Sequence, residues 1–185
     1  ALSSPAAPQA PFITSKPPMI VALAPGVHIT PIINAGDLIG GRLGGFQYAG
    51  TPDGIGVYRS AKNRLEVFTN HELAHQYGDP ADSRVSHLTL NPNARIVAAG
   101  YAVDGTEGYQ YFCSSTMDTI AGVPWYFTGE EWVGSPKGGM SIAINALTGK
   151  VRETPQFGAL NHENIVPIKR LGKAAMYLSE DSFRL

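Results

Sequence analysis

A chain of 185 residues with 14 Lys plus Arg against 15 Asp plus Glu carries a formal net charge of −1. That balance supplies no basic footprint for nucleic acid and no polybasic membrane patch, and no apolar run approaches the ~20 residues that span a bilayer. A single cysteine excludes an internal disulfide and a Cys-only zinc site, while 21 glycines and 14 prolines without long Ala/Leu/Glu/Lys stretches favour many short strands over helices.

Ala1 opens the sequence with no Met and no basic-then-apolar leader, so export, if it occurs, is expected to have removed the signal already. Ala1 to Pro18 hold Pro5, Pro8, Pro11, Pro17 and Pro18 among Ala and Ser, an extended N-terminal arm, and the main domain is expected over 19–185. Met19 to Ile33 is apolar enough for two short buried strands broken at Pro25-Gly26, with His28 read as a core histidine. The glycines at 40, 41, 44 and 45 lack the Gly-Lys-Ser/Thr ending of a phosphate loop. Gly50 to Gly54 is a turn carrying the carboxylate of Asp53.

Ile55 to Arg59 and Arg64 to Thr69 read as a hairpin that runs into Asn70-His71-Glu72. A second hairpin pairs Val85 to Leu90 with Arg95 to Ala99. Tyr109, Tyr111 and Phe112 lead to Cys113, and Trp125 to Gly129 lead to the adjacent carboxylates Glu130 and Glu131. Ser141 to Asn145 pairs with Lys150 to Glu153, a second Asn-His-Glu stands at 161–163, and the last strand, Ala174 to Leu178, runs into Ser179, Glu180 and Asp181.

The two Asn-His-Glu copies start at 70 and 161, 91 residues apart, which spans two propeller blades of ~40–50 residues. The ends Phe68-Thr69-Asn70-His71-Glu72, Phe127-Thr128-Gly129-Glu130-Glu131 and Leu178-Ser179-Glu180-Asp181 repeat one phrase: a large apolar residue, a hydroxyl, then acid. The expected fold is therefore all-β, a β-propeller whose inner strand ends converge. Converging carboxylates without lysines repel unless cations neutralise them, which makes a metal site the economical reading and separate solvated turn acids the bland one. Carboxylates suit calcium or magnesium, and a thiolate from Cys113 adds iron or zinc; read alone, a lone cysteine is a small buried hydrophobe.

Gly50-Thr51-Pro52-Asp53-Gly54-Ile55-Gly56-Val57-Tyr58, Asn70-His71-Glu72-Leu73, Phe112-Cys113-Ser114-Ser115, Gly129-Glu130-Glu131 and His162-Glu163-Asn164 together resemble the PhoX-type alkaline phosphatases, in their actinobacterial-type branch, over Gly36 to Asp181. The resemblance implies a six-bladed propeller with a calcium and iron cluster (Ca2+, Fe3+) in its channel, hydrolysing small-molecule phosphate monoesters in the periplasm or outside the cell. It implies Cys113 as iron ligand and Glu72, Glu131 and Glu163 as metal ligands, with Asp53 and Glu130 as further metal candidates. His71 and His162 are the candidate proton carriers or supporting donors, and Asp181 receives no catalytic role. Pro124 lies farther beyond the cysteine than in the best-known phosphatases. About three blade-like units are present, so a further segment or a second chain is expected to complete the ring. Two alternatives stay open: a calcium-stabilised propeller that binds without turnover, and a calcium-only propeller phytase or lactonase.

Overall fold

The computed structural model describes residues 11–40, 45–60, 63–75, 82–170 and 173–182. Its strands are β1 (Leu38–Ile39), β2 (Phe46–Gln47), β3 (Pro52–Arg59), β4 (Leu65–His71), β5 (Arg84–Leu90), β6 (Ile96–Val103), β7 (Phe112–Ile120), β8 (Val123–Glu130), β9 (Ser141–Asn145), β10 (Lys150–Glu153), β11 (His162–Arg170) and β12 (Lys173–Glu180). A 3-10 turn, Pro155–Phe157, interrupts them between β10 and β11. Among the described residues no helix is long and apolar enough to cross a membrane.

Among the described residues the strands pair antiparallel, and only with chain neighbours. The result is two four-stranded sheets, β3-β4-β5-β6 and β7-β8-β9-β10, and two hairpins, β1-β2 and β11-β12. The hairpin signals at 55–69, 85–99 and 141–153 correspond to β3-β4, β5-β6 and β9-β10.

The sheets stack through their first strands, β3 on β7 and β7 on β11. Phe68, Val85, Val103, Phe112, Tyr126, Ile142 and Ile144 fill the space between the four-stranded sheets. Phe68 has no exposed surface, so truncating it to Ala costs about 3–5 kcal/mol. Phe127, Ala143 and Ile165 join the second sheet to the β11-β12 hairpin. On the far face of the first sheet, Tyr48, Leu88, Leu90 and Ile96 are covered by Phe12, Ile32, Ile33, Ile39 and Phe46.

The propeller expectation is overturned. There are four separate antiparallel sheets, and none closes into a barrel or a propeller. The physical reason lies at the ends of the stack: Val166, Ile168 and Tyr177 leave the last hairpin's outer face exposed, while the far face of the first sheet is covered in part by the N-terminal segment and exposed at Ile55 and Val57, so the two terminal faces do not meet. No ion identity, phosphate-ester chemistry or export route follows from this fold, and those expectations stand on the resemblance alone.

Two local expectations also change. Met19, Ile20, Val21 and Leu23 form no strand and are largely exposed, because prolines at 17, 18, 25 and 31 remove ladder donors and preset the backbone. Of the arm, residues 1–10 lie outside the described residues, as do glycines 41 and 44. Phe12 pairs with Ile96 through two backbone hydrogen bonds of 2.8 and 2.9 Å.

Candidate metal centre

Three hairpins, β3-β4, β7-β8 and β11-β12, carry the same construction at the same end. The second residue of the first strand is Asp53, Cys113 or Glu163, and the first residue past the second strand is Glu72, Glu131 or Asp181. A β-bulge interrupts the register beside each first-strand residue, between Pro52 and Ile55, Phe112 and Ser115, and His162 and Asn164. Such bulges re-aim a side chain out of the regular alternation. The end of each hairpin is then closed by one backbone hydrogen bond: Glu72 N–H to Thr51 at 3.0 Å, Glu131 N–H to Tyr111 at 2.9 Å, Asp181 N–H to Asn161 at 3.1 Å.

Stacking brings these ends together. One ligand atom each from Asp53, Glu72 and Cys113 lie within 4.8 Å of one another, and so do those of Cys113, Glu131 and Glu163. Cys113 belongs to both groups. Its Sγ stands 3.8 Å from Asp53 Oδ2. Asp53 is exposed and the other four are half-buried. Tyr111, two residues before the thiol, holds a positive φ of 55° and stacks edge-on against Trp132 at 5.7 Å.

The electrostatics are those of crowded acids. Burial and then the charges of Asp53 and Glu163 raise the Glu72 carboxyl above its usual range. Glu131 is pushed up to about 7, chiefly by burial and then by Glu163 and Asp181, against a lowering hydrogen bond from Cys113. Burial and the neighbouring carboxylates likewise hold the Cys113 thiol well above an ordinary thiol. Each shift is a cost of assembling ionised groups with no counter-charge, and bound cations relieve it. The donor set of four carboxylates and one sulfur suits metal ions that accept hard oxygen and, on one side, thiolate.

The comparisons with known proteins are silent. No family model, no curated protein and no solved structure matches this chain.

The remaining sequence candidates lie elsewhere. Glu130 is fully buried, its carboxylate accepting from the Gln110 N–H at 2.8 Å, the Ser135 hydroxyl at 2.7 Å and the Met140 N–H at 2.8 Å. It ties the 131–140 loop to the segment before β7 and joins neither group of ligand atoms. His71 is fully buried, with Nδ1 2.9 Å from the Gly50 carbonyl, Nε2 3.0 Å from Ser86 Oγ and its ring against Tyr48 at 4.7 Å. His162 is buried against Gly129, with Nε2 3.3 Å from the Gly158 carbonyl and Nδ1 without a partner among the described residues. Burial holds both imidazoles below their ordinary pKa, so both stay neutral. Asp181, given no catalytic role from the sequence, occupies the third hairpin's equivalent of Glu72 and Glu131. The signal was the phrase Leu178-Ser179-Glu180-Asp181, in which the acid stands one residue past the strand.

Proposed function

We propose that Asp53, Glu72, Cys113, Glu131 and Glu163 hold two neighbouring metal ions that share the Cys113 thiolate, and that the centre hydrolyses phosphate monoesters. The observation that carries the metal reading is the pair of ligand groups, each within 4.8 Å, with one cysteine common to both. Phosphomonoester hydrolysis is the activity that the five motifs resemble, and it suits a centre built from hard ligands.

In this reading Asp53 and Glu72 favour calcium, while Cys113 with Glu131 and Glu163 favours iron. Bound cations would offset the charge on phosphate oxygens and lower the pKa of a coordinated water. The chain's own residues supply the rest. The bulges present the ligands, the closing hydrogen bonds fix each hairpin end, and the Asp53 edge, the exposed one, is where an ester has access. His71, with both nitrogens engaged, serves packing rather than proton transfer.

Elemental analysis of the intact protein and hydrolysis of p-nitrophenyl phosphate, with and without chelator, test the proposal. Iron with calcium and a chelator-sensitive activity are expected, and Glu131→Gln is expected to lose metal and activity together. Retained activity in E131Q at normal metal content sinks the assignment, and calcium alone without turnover leaves a binding module.

A further inference from the structure

Asn70 is fully buried between the two four-stranded sheets, yet its amide makes four polar contacts, all across the gap to β7 and β8. Its Nδ2 donates to the Thr128 hydroxyl at 2.7 Å and to the carbonyls of Cys113 at 2.7 Å and Ser114 at 3.1 Å. Its Oδ1 accepts from the Tyr126 hydroxyl at 2.7 Å. That same hydroxyl lies 3.1 Å from the carbonyl of Gly54, the residue after Asp53. Thr128 completes the set by donating to the Ser114 carbonyl at 3.0 Å.

Packing does not require any of this. The rings of Phe68 and Tyr126, 5.5 Å apart, already fill the interface with Val85, Ile142 and Ile144, and a buried amide costs desolvation that an apolar side chain avoids. What the amide and the phenol do is hold three ligand-bearing backbones at one spacing. Asn70 stands two residues before Glu72, it grips the Cys113 peptide, and through Tyr126 it reaches the peptide after Asp53.

We propose that Asn70 and Tyr126 are positioning residues that set the distance between the Cys113 sulfur and the Asp53 and Glu72 carboxylates, a statement that rests on the metal-binding reading above. The 3.8 Å between Cys113 Sγ and Asp53 Oδ2 falls inside the roughly 3–4 Å separating two ligands of one ion with metal–ligand bonds of ~2.0–2.3 Å. Metal sites tolerate about 0.2 Å in those bonds, so a β7 free to slide against β3 leaves the ligands present but out of register. Gly54 makes the spacing equally sensitive from the other side. A Cβ there would stand 2.5 Å from the Ser115 nitrogen.

The test uses cobalt(II) as the probe, because a thiolate-to-cobalt absorption band reports the Cys113 bond directly. Wild type, Tyr126→Phe, Asn70→Asp and Ile96→Val, a buried core control on the far face of the first sheet, are titrated with cobalt(II), and metal-free thermal midpoints are recorded alongside. Y126F is expected to weaken cobalt about tenfold and N70D up to about 100-fold, with the band shifted or lost, the range in which residues behind the ligands act. I96V is expected to lower the midpoint and leave affinity and band unchanged. Y126F keeps its ring and decides the matter if N70D does not fold. Y126F binding within twofold of wild type, with an unshifted band, overturns the inference while the metal reading stands. A wild-type titration with no thiolate band overturns both.

Discussion

Between the first and second sheets, Asn70 fills its position with hydrogen bonds that cross the gap; between the second sheet and the β11-β12 hairpin, the residue at the corresponding position, Gly129, contributes only space. Each stands two residues before its carboxylate, Glu72 or Glu131. A Cβ on Gly129 would come within 2.6 Å of the His162 Cβ, so the last hairpin approaches as closely as a bare backbone permits. Polar bonds join the close approach of Gly54 at the first interface and the close approach of Gly129 acts at the second, yet ligand atoms converge within 4.8 Å at both. Convergence is therefore a property of the hairpin ends, their bulges and closing hydrogen bonds, while the interfaces set the separation.

The largest expected effect removes the member common to both halves. Cys113→Ala should release both ions together, with an affinity loss beyond the ~10–100-fold typical of residues behind the ligands; metal stoichiometry by elemental analysis reads it. A variant that keeps one ion at wild-type affinity would show the halves to be independent. Next come the glycines. Gly54→Ala and Gly129→Ala force backbone and ring apart and should each destabilise by about 1–3 kcal/mol in urea unfolding. Only the second should be rescued by His162→Gly in a double-mutant cycle, since the nearest obstacle at Gly129 is the His162 Cβ, whereas the obstacle at Gly54 is backbone of residues 113–115.

A smaller effect is set by pH. Glu131, raised from 4.5 to about 7, keeps its proton in the folded metal-free chain through a window in which the unfolded chain has lost it. Its contribution to stability is thus fully present below about pH 4.5 and falls as pH rises to 7, and the raised Glu72 acts in the same direction. Because the buried His71 and His162, held below their ordinary pKa, act in the opposite direction, the decline is read as the difference in thermal midpoint between chelator-treated wild type and Glu131→Gln over that window, and added metal should reverse it. A flat profile without metal would remove the crowding of acids from the comparison. The smallest change expected is that of Asp181→Asn, which should draw the Glu131 pKa toward its ordinary value, read by carboxyl NMR, without altering the first group.

Much of this was legible in the residues. Five acids and one thiol of ligand type stood at strand ends, and hairpin signals at 55–69, 85–99 and 141–153 marked the scaffold. Alternation along a strand also separates neighbours: Asn70 and Glu72 face the second sheet while His71 faces Tyr48, and Glu131 faces the centre while Glu130 turns into the protein. That parity was available and bears on His71 and Glu130, though bulges blur it close to the ligands. The work of Asn70 was not legible, because its partners lie 43 to 58 positions away and depend on which strands stack. Nor was the shape of the whole, since a repeated strand end looks the same in a closed ring and in an open stack. The apolar run at 19–23 misled because hydropathy says nothing of whether a neighbouring edge exists to bury it.

The closing hydrogen bond that joins residues 51 and 72, 111 and 131, and 161 and 181 makes each hairpin a self-contained unit bearing one ligand on each arm. Within each of the first two units the arm pair makes no ligand group by itself; a first-strand residue from the next unit completes it. Three stacked units have two junctions, and the two ligand groups fall one at each. On the metal-binding reading proposed above, the capacity for ions would count junctions rather than units, and adding or deleting a terminal hairpin would change the number of binding positions by one while leaving the others as they were.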